Sequence, residues 1–393
     1  MKKYLIVNTG SASKRYAIYF GDELKVSGHL QVIDGRFFAS ITYDGKTFDC
    51  DLRGEIPENT ARCFFEKIRE KKIIDDKCVI DAIGIRIVAP GDYFTEDRII
   101  DSEYIKKLSD VEESAPLHIK PIIEEINHLK EAFPNSAVVG ISDSKFHKSM
   151  QESFRVYSIF RRDTENMGIY RFGYHGISAK SVLDELKNII SPLPEKTIIC
   201  HLGSGASVTA VKDGKSFNTS MGFTPLEGLT MRTRVGNIDP GALIYLAKKK
   251  KFSLEDMENY LNTKCGLFGL SGVEDTRKII KFSEEGDENA QSALDIFVND
   301  VKEYIGAYSA LMNGVDLIVF SGAIGEGADV VRAKICDKMD YLGLDLDENK
   351  NKQTIGINGV ISSGESKVKL LVVKTNEMEE IFKSAKEIWK KGS

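Results

Sequence analysis

Three glycine-bearing turns carry the first chemical signal in the chain. Gly203-Ser204-Gly205-Ala206-Ser207 follows the apolar run TIIC, and glycine there lets main-chain amides approach a phosphate without side-chain obstruction. No G-x-x-x-x-G-K-[ST] accompanies it, so it is not a Walker loop, and the same residues also suit a plain hairpin. Thr9-Gly10-Ser11-Ala12-Ser13, behind YLIVN, repeats the pattern. Ser321-Gly322-Ala323-Ile324-Gly325-Glu326-Gly327 follows LIVF and leads into a helix expected from Ala328, a setting that suits a nucleotide or simple packing glycines.

Charged residues supply the second signal. Arg86 lies inside the apolar strand IGIRIV, where an unpaired guanidinium is costly, so it should meet an anion or a buried carboxylate. Arg232 and Arg234 close a long loop from Phe223 that contains Pro225 and Gly228. They suit carboxylate or phosphate, with surface ion pairs to Glu227 and Asp239 as the alternative. Asp143 ends the strand AVVGIS, within reach of a metal or attacking group, whereas Asp81 and Asp316 at strand starts point to the other end; a strand-end Asp is as often a helix cap. His175, in Arg171-Phe172-Gly173-Tyr174-His175-Gly176, suits a donor in a confined site or a satisfied core histidine. His29 and His128 read as structural.

The elements that must position these groups follow a repeated grammar. YLIVN, RYAIYF and ELKVSGHL read as an antiparallel meander, followed by strands RFFASITY and KTFDCDL and a helix from about Thr60 to Lys72. VIDAIGIRIV and AVVGIS are buried strands, with a helix expected from near Pro121 until Pro134. The grammar restarts at Thr197: laying YLIVN over TIICH sets Asn8 opposite His201 and Gly10-Ser11 opposite Gly203-Ser204, a twofold repeat of a strand-rich α/β unit. Helices are expected near 241–250, 253–261, 290–312 and 328–339, with strands LIVFSG and VKLLVV among them, which argues for two mixed-sheet domains with a cleft between.

Composition excludes several classes. The chain has 393 residues, long enough for two or three domains, and with 33 glycines, 9 prolines and no biased tract it is not fibrous. Lys+Arg 54 against Asp+Glu 59 leaves a net charge of −5, so no global basic field exists for nucleic acid. The six cysteines, Cys50, Cys63, Cys78, Cys200, Cys265 and Cys336, lack C-x-x-C spacing and read as reduced thiols. The apolar run behind Lys2-Lys3 is too short for a signal core or a membrane span, which leads to the expectation of a cytoplasmic protein.

Taken together, LIVNTGSASKRYAIY, APLH, SDSKFHKSM, RFGYHGIS, IICHLGSGASVTAVKDGKSFNTSMGFTPLEGL, SGVEDTR, IVFSGAIGEGADVVR and VVKTNEMEE resemble the acetate kinase family over essentially the whole chain. The resemblance implies an α/β fold of two ribonuclease-H-like mixed-sheet domains of the acetate and sugar kinase/actin type. Residues 1–146 with 379–393 would form one lobe and 147–378 a second lobe for nucleotide binding and dimerisation. It implies reversible transfer of the ATP γ-phosphoryl to acetate, giving acetyl phosphate and ADP, by a homodimer using Mg2+ or Mn2+, with no nucleic-acid or membrane partner. By motif, Asn8, Asp143 and Glu377 would organise the metal, and Arg86 and Arg234 the carboxylate and the transferring group. His175 would stabilise the transition state, with His118, His201, Gly203, Ser204 and Gly205 near the phosphates. Asp275, Arg277, Gly325 and Glu326 would surround adenosine; Val88, Leu117, Tyr174 and Pro225 would surround the methyl group of the acid.

The chain departs from the family pattern near the substrate. Ile85, Ala89 and Pro90 replace usual residues around Arg86, and Pro90 should reroute the loop that follows. Ser204 and Gly327 stand where Asn is usual, Val235 where Ser is usual, Asn237 where Asp is usual, and Arg232 where Gly is usual. Arg232, an extra cation two residues from Arg234, would either attract a larger anion or spoil the pocket. The alternatives are therefore a propionate or other short-chain acyl kinase, or a nucleotide-binding paralogue with weakened transfer.

Overall fold

In each half of the chain, one apolar strand organises a mixed sheet. A computed structural model describes residues 1–10, 13–33, 36–52, 59–75 and 78–392; Ser11 and the Cys50 side chain lie outside the described residues. Contacts divide the chain into two compact units, Met1–Lys145 with Asn376–Ser393, and Phe146–Thr375.

The first unit contains β1 (Lys3–Thr9), β2 (Ser13–Phe20), β3 (Glu23–Ile33), β4 (Arg36–Tyr43), β5 (Lys46–Leu52), β6 (Ala82–Ile87), β7 (Arg98–Ile99) and β8 (Ala137–Ser142), in the order β5-β4-β3-β2-β1-β6-β8-β7. The second contains β9 (Lys196–Leu202), β10 (Ala206–Lys212), β11 (Lys215–Thr219), β12 (Leu317–Ser321), β13 (Gly359–Val360) and β14 (Lys369–Val372), in the order β11-β10-β9-β12-β14-β13. In both, the leading strand is antiparallel to the next strand of a meander and parallel to a later one, β1 to β6 and β9 to β12. This is the mixed α/β fold expected from the sequence, with two mixed sheets. Tyr4 to Asn8 of β1 and all of β12 are buried, as the near-continuous apolar runs of two-sided central strands require.

A matched pair of aspartates fixes the register where each parallel strand begins. The Asp81 carboxylate accepts from the Lys3 amide at 2.8 Å while its own amide donates to the Lys3 carbonyl at 2.9 Å. Asp316 repeats the arrangement on Lys196, at 2.9 Å and 2.8 Å. These aspartates are structural, and the opposite ends of the strands are left to the groups that could do chemistry.

The last helix, Glu377–Gly392, packs on β1, β6 and β8. Tyr4 meets Phe382 and Trp389 edge-on, and Phe382 stacks on Tyr19 at 4.1 Å. Gly84 lets the helix approach: a Cβ there would lie 2.7 Å from Ala385 Cβ.

Two sequence expectations need correction. The helix expected from Pro121 runs Pro116–Ala132. Pro116 occupies the first turn, where a missing N–H costs nothing, and Pro121 is carried in the interior. The glycine loop before Ala328 is already helical over Gly322–Gly327, entered through Gly322 at φ +74°. Helices Ser102–Asp110, Gly176–Ile189, Thr276–Glu284 and Glu377–Gly392 add to those expected. Among the described residues, no helix is long and apolar enough to cross a membrane.

Gly84→Ala should destabilise the first unit by roughly 1–3 kcal/mol through overpacking against the last helix. Urea denaturation checks this, and an unchanged midpoint would contradict the close approach.

Candidate active site

The first unit gathers a polar cluster at its strand ends. Asn8 lies near the end of β1, Arg86 near the end of β6, Asp143 just after β8, and Glu377 opens the last helix. Arg86 Nη2 donates to Asp143 Oδ2 at 2.7 Å and Nη1 to Asn8 Oδ1 at 3.3 Å; Asn8 Nδ2 donates to Glu377 Oε2 at 2.7 Å. The pair is nearly dry, with side chains 14% and 2% exposed for Arg86 and Asp143. Burial pushes the Arg86 pKa down, but the Asp143 and Glu377 carboxylates outweigh it and hold the group above its ordinary value. Arg86 therefore meets the buried carboxylate that its place in an apolar strand demands. Its Nε is buried and unpartnered among the described residues.

Beyond β6 the buried run Val88-Ala89-Pro90 turns through Gly91 at φ +114° into a short 3-10 turn. Leu117, 45% exposed, and half-buried His118 sit on another element, the first turn of helix Pro116–Ala132.

The second unit gathers a different set. His175 adopts a left-handed backbone, φ +59°, as it caps helix Gly176–Ile189. Its Nδ1 lies 3.0 Å from Ser207 Oγ, and its ring is centred 4.4 Å from that of His201. His201 Nδ1 lies 2.7 Å from Ser178 Oγ. The turn Gly203–Gly205 closes on itself, with the Gly203 amide donating to the Gly205 carbonyl at 3.1 Å. Gly205 is the tight position: a Cβ there would lie 3.2 Å from His175 Nε2 and 3.4 Å from Arg234 Nη1, whereas one on Gly203 would sit at ordinary contact distance, 3.9 Å, from His201 Nε2. Two imidazoles and a guanidinium thus border one bare stretch of backbone, an arrangement suited to an anion.

Tyr174 and Pro225 join this wall: Tyr174 Oη donates to the Phe223 carbonyl at 2.7 Å, and Arg234 Nη1 reaches the Pro225 carbonyl at 3.4 Å. Glu326 Oε1 accepts from the amides of Gly322 and Thr375 at 3.0 and 3.2 Å, and the Gly325 carbonyl accepts from Arg332 at 2.8 Å. Asp275 caps helix Thr276–Glu284 and forks onto exposed Arg277 at 2.8 and 3.0 Å, which holds its carboxyl below the ordinary range.

The loop arginines do not take the partners named as alternatives. Glu227 pairs with Arg171 and accepts from Tyr157, whose phenol is pushed up by burial and by that carboxylate. Asp239 caps helix Pro240–Lys250, and Arg232 pairs with Glu274 at 3.3 Å. Arg171 also donates to the carbonyls of Thr219, Ser220 and Met221, so this network shapes the loop that carries Pro225.

His147 escaped sequence reasoning. It is buried, with Nδ1 2.8 Å from Ser216 Oγ and Nε2 2.9 Å from the Tyr174 carbonyl, so it braces the peptide leading into His175. Nothing in SDSKFHKSM separates such a brace from an ordinary core histidine. Ser207 lay in a turn already singled out, yet its contact with a residue 32 positions away has no local signature.

A hard dication fits the first cluster. Among the described residues, no group of three or more His, Cys, Asp or Glu could hold a metal alone. Asn8, Asp143 and Glu377 instead offer oxygen donors linked through Arg86 and one another, the sparse set Mg2+ uses when phosphates and water complete its shell.

Comparison with known proteins agrees over the full length. The family model described as Acetokinase family matches residues 3–383. The chain is 40% identical to an acetate kinase of Carboxydothermus hydrogenoformans, over 98% of this chain and 99% of that protein, and 37% identical to one of Clostridium novyi, over 100% and 99%. Among solved structures, it resembles the acetate kinase of Porphyromonas gingivalis (32% identity, TM-score 0.84, 99% and 100% coverage) and a propionate kinase of Francisella tularensis (31%, TM-score 0.89, 99% and 100%).

A double-mutant cycle of Arg171→Met and Glu227→Gln should give a coupling of roughly 0.5–3 kcal/mol in chemical denaturation. Additive effects would mean that the pair does not hold the loop.

Proposed function

This chain belongs to the acetokinase family, and from that premise we propose that it transfers the terminal phosphoryl group of ATP reversibly to acetate. The observation that carries the reading is Arg86, held by Asp143 and Asn8 beside Glu377 where three strand ends and one helix start meet. An acid oxygen attacks the γ-phosphorus, the bond from phosphorus to the β,γ-bridging oxygen breaks, and ADP leaves with that electron pair. Little covalent work falls to the protein; it aligns the reactants and offsets charge.

Arg86 orients the carboxylate and the moving phosphoryl, with Arg234 as the second cation. His175, oriented through Ser207, donates to the equatorial oxygens as charge spreads over them. His118, His201, Ser204 and the amides of Gly203 and Gly205 receive the phosphates, while Asp275, Arg277, Gly325 and Glu326 receive the nucleoside. Val88, Leu117, Tyr174 and Pro225 accept the alkyl end of the acid. Asn8, Asp143 and Glu377 would hold Mg2+, or Mn2+, through oxygen and water, and the ion neutralises phosphate charge when bound. The second unit serves as the nucleotide and dimerisation lobe. Helix Pro240–Lys250 supports a homodimer: it buries none of its residues, leaving Ile244 58% and Tyr245 64% exposed. The reading includes cytoplasmic residence and small-molecule partners, with neither nucleic acid nor membrane.

Propionate is the second reading, favoured by the likeness to the Francisella tularensis propionate kinase. An apolar pocket separates acids differing by one methylene by only ~1–3 kcal/mol.

Hydroxamate formation from ATP, hydroxylamine and acetate, propionate or butyrate tests the reading. Product with acetate is expected, and the order of rates names the acid. No product from any acid would leave a nucleotide-binding paralogue, to which the altered residues Ile85, Ala89, Pro90 and Arg232 would then point. Arg86→Ala should lower kcat about 100-fold or more while changing the KM for ATP little. An unchanged kcat would remove Arg86 from the reaction.

A further inference from the structure

Arg232 joins two parts of the second unit. Its amide donates to the Ser204 carbonyl at 3.2 Å, in the Gly203–Gly205 turn, and its carbonyl accepts from the Phe268 amide at 2.9 Å, in helix Gly266–Ser271. Its side chain runs to Glu274, with Nη1 3.3 Å from the carboxylate, next to Asp275. Glu274 is 55% exposed, and an ion pair this open to water adds little stability. The contact is long for a charge-assisted hydrogen bond. Meanwhile, Arg232 Nε is buried and has no hydrogen-bond partner among the described residues. A guanidinium with one orphaned donor and one loose carboxylate is poorly satisfied where it stands.

The proposed function puts phosphates at the glycine turn and the nucleoside at Asp275. Arg232 is anchored by its backbone to the first, and its head is on Glu274, the chain neighbour of the second, so one cation connects the two parts. We propose that Arg232 is a nucleotide-specificity residue that binds the α- and β-phosphates, exchanging Glu274 for phosphate oxygen; Glu274 holds its place when no nucleotide is bound. The inference rests on the nucleotide site proposed above. It gives this chain a grip on ADP and ATP that adenosine, which has no phosphate, does not feel.

Isothermal titration of the full chain with ADP and with adenosine, each with Mg2+, tests it in wild type, Arg232→Ala, Arg232→Lys and Glu274→Gln. Expected are a loss of ADP affinity of about 10-fold or more in Arg232→Ala, partial rescue in Arg232→Lys, unchanged adenosine affinity throughout, and ADP binding at least as tight in Glu274→Gln. Equal ADP affinity in Arg232→Ala and wild type overturns the inference. Equal loss for ADP and adenosine also overturns it, because that is the signature of a purely structural role, as does weakening in Glu274→Gln to match Arg232→Ala. A wild-type chain that binds neither ligand overturns the nucleotide site itself; one that binds both while Arg232→Ala loses nothing overturns only the role of Arg232.

Discussion

A guanidinium inside an apolar strand is the constraint on which the first unit turns. Arg86 stays charged at any accessible pH, and a charge buried without a partner is among the costliest defects a fold can carry. Its answer comes from far along the chain: Asp143 is 57 residues away, and Asn8 connects it to Glu377, 369 residues from Asn8. The last helix must therefore return to the first sheet, and the aromatic contacts of Tyr4, Tyr19, Phe382 and Trp389 bring it there. The chemistry and the chain closure share one set of contacts.

The two units use one scaffold for different ends. Asp81 and Asp316 set the same register at the starts of the parallel strands. At the other end, Val7 pairs with Ile85, which sets Asn8 level with Arg86, while His201 pairs with Ser321. Where the first unit places an amide beside an arginine, suited to carboxylate and metal, the second places an imidazole beside a serine that leads into a glycine-rich helix. One repeated strand pairing thus presents a carboxylate-held cation in one copy and bare backbone with histidines in the other.

Most of the fold could be read from local patterns. Meander strands have period-2 alternation and short turns, central strands are short apolar runs, and the repeat was visible because both signals recur after Thr197. The start of helix Pro116–Ala132 was misread because Pro121 looked like a boundary, although Pro116 fills that role better. For the site, Arg86 announced its need for a carboxylate through its apolar neighbours, and Asp143 was placed by its strand. The pairings of Glu227 with Arg171 and of Arg232 with Glu274 were not legible, since nearer residues of the right charge offered more obvious partners, and that of His147 with the Tyr174 carbonyl has no local signature. Tertiary contacts, not spacing, chose among them.

The most direct measurement of the central claim is ATP formation from acetyl phosphate and ADP by the Asp143→Asn variant, alongside its ADP affinity. If the carboxylate that holds Arg86 also organises phosphoryl transfer, ATP formation falls on the order of 100-fold while ADP binding stays within a few-fold of wild type. Turnover within a few-fold of wild type would contradict the account.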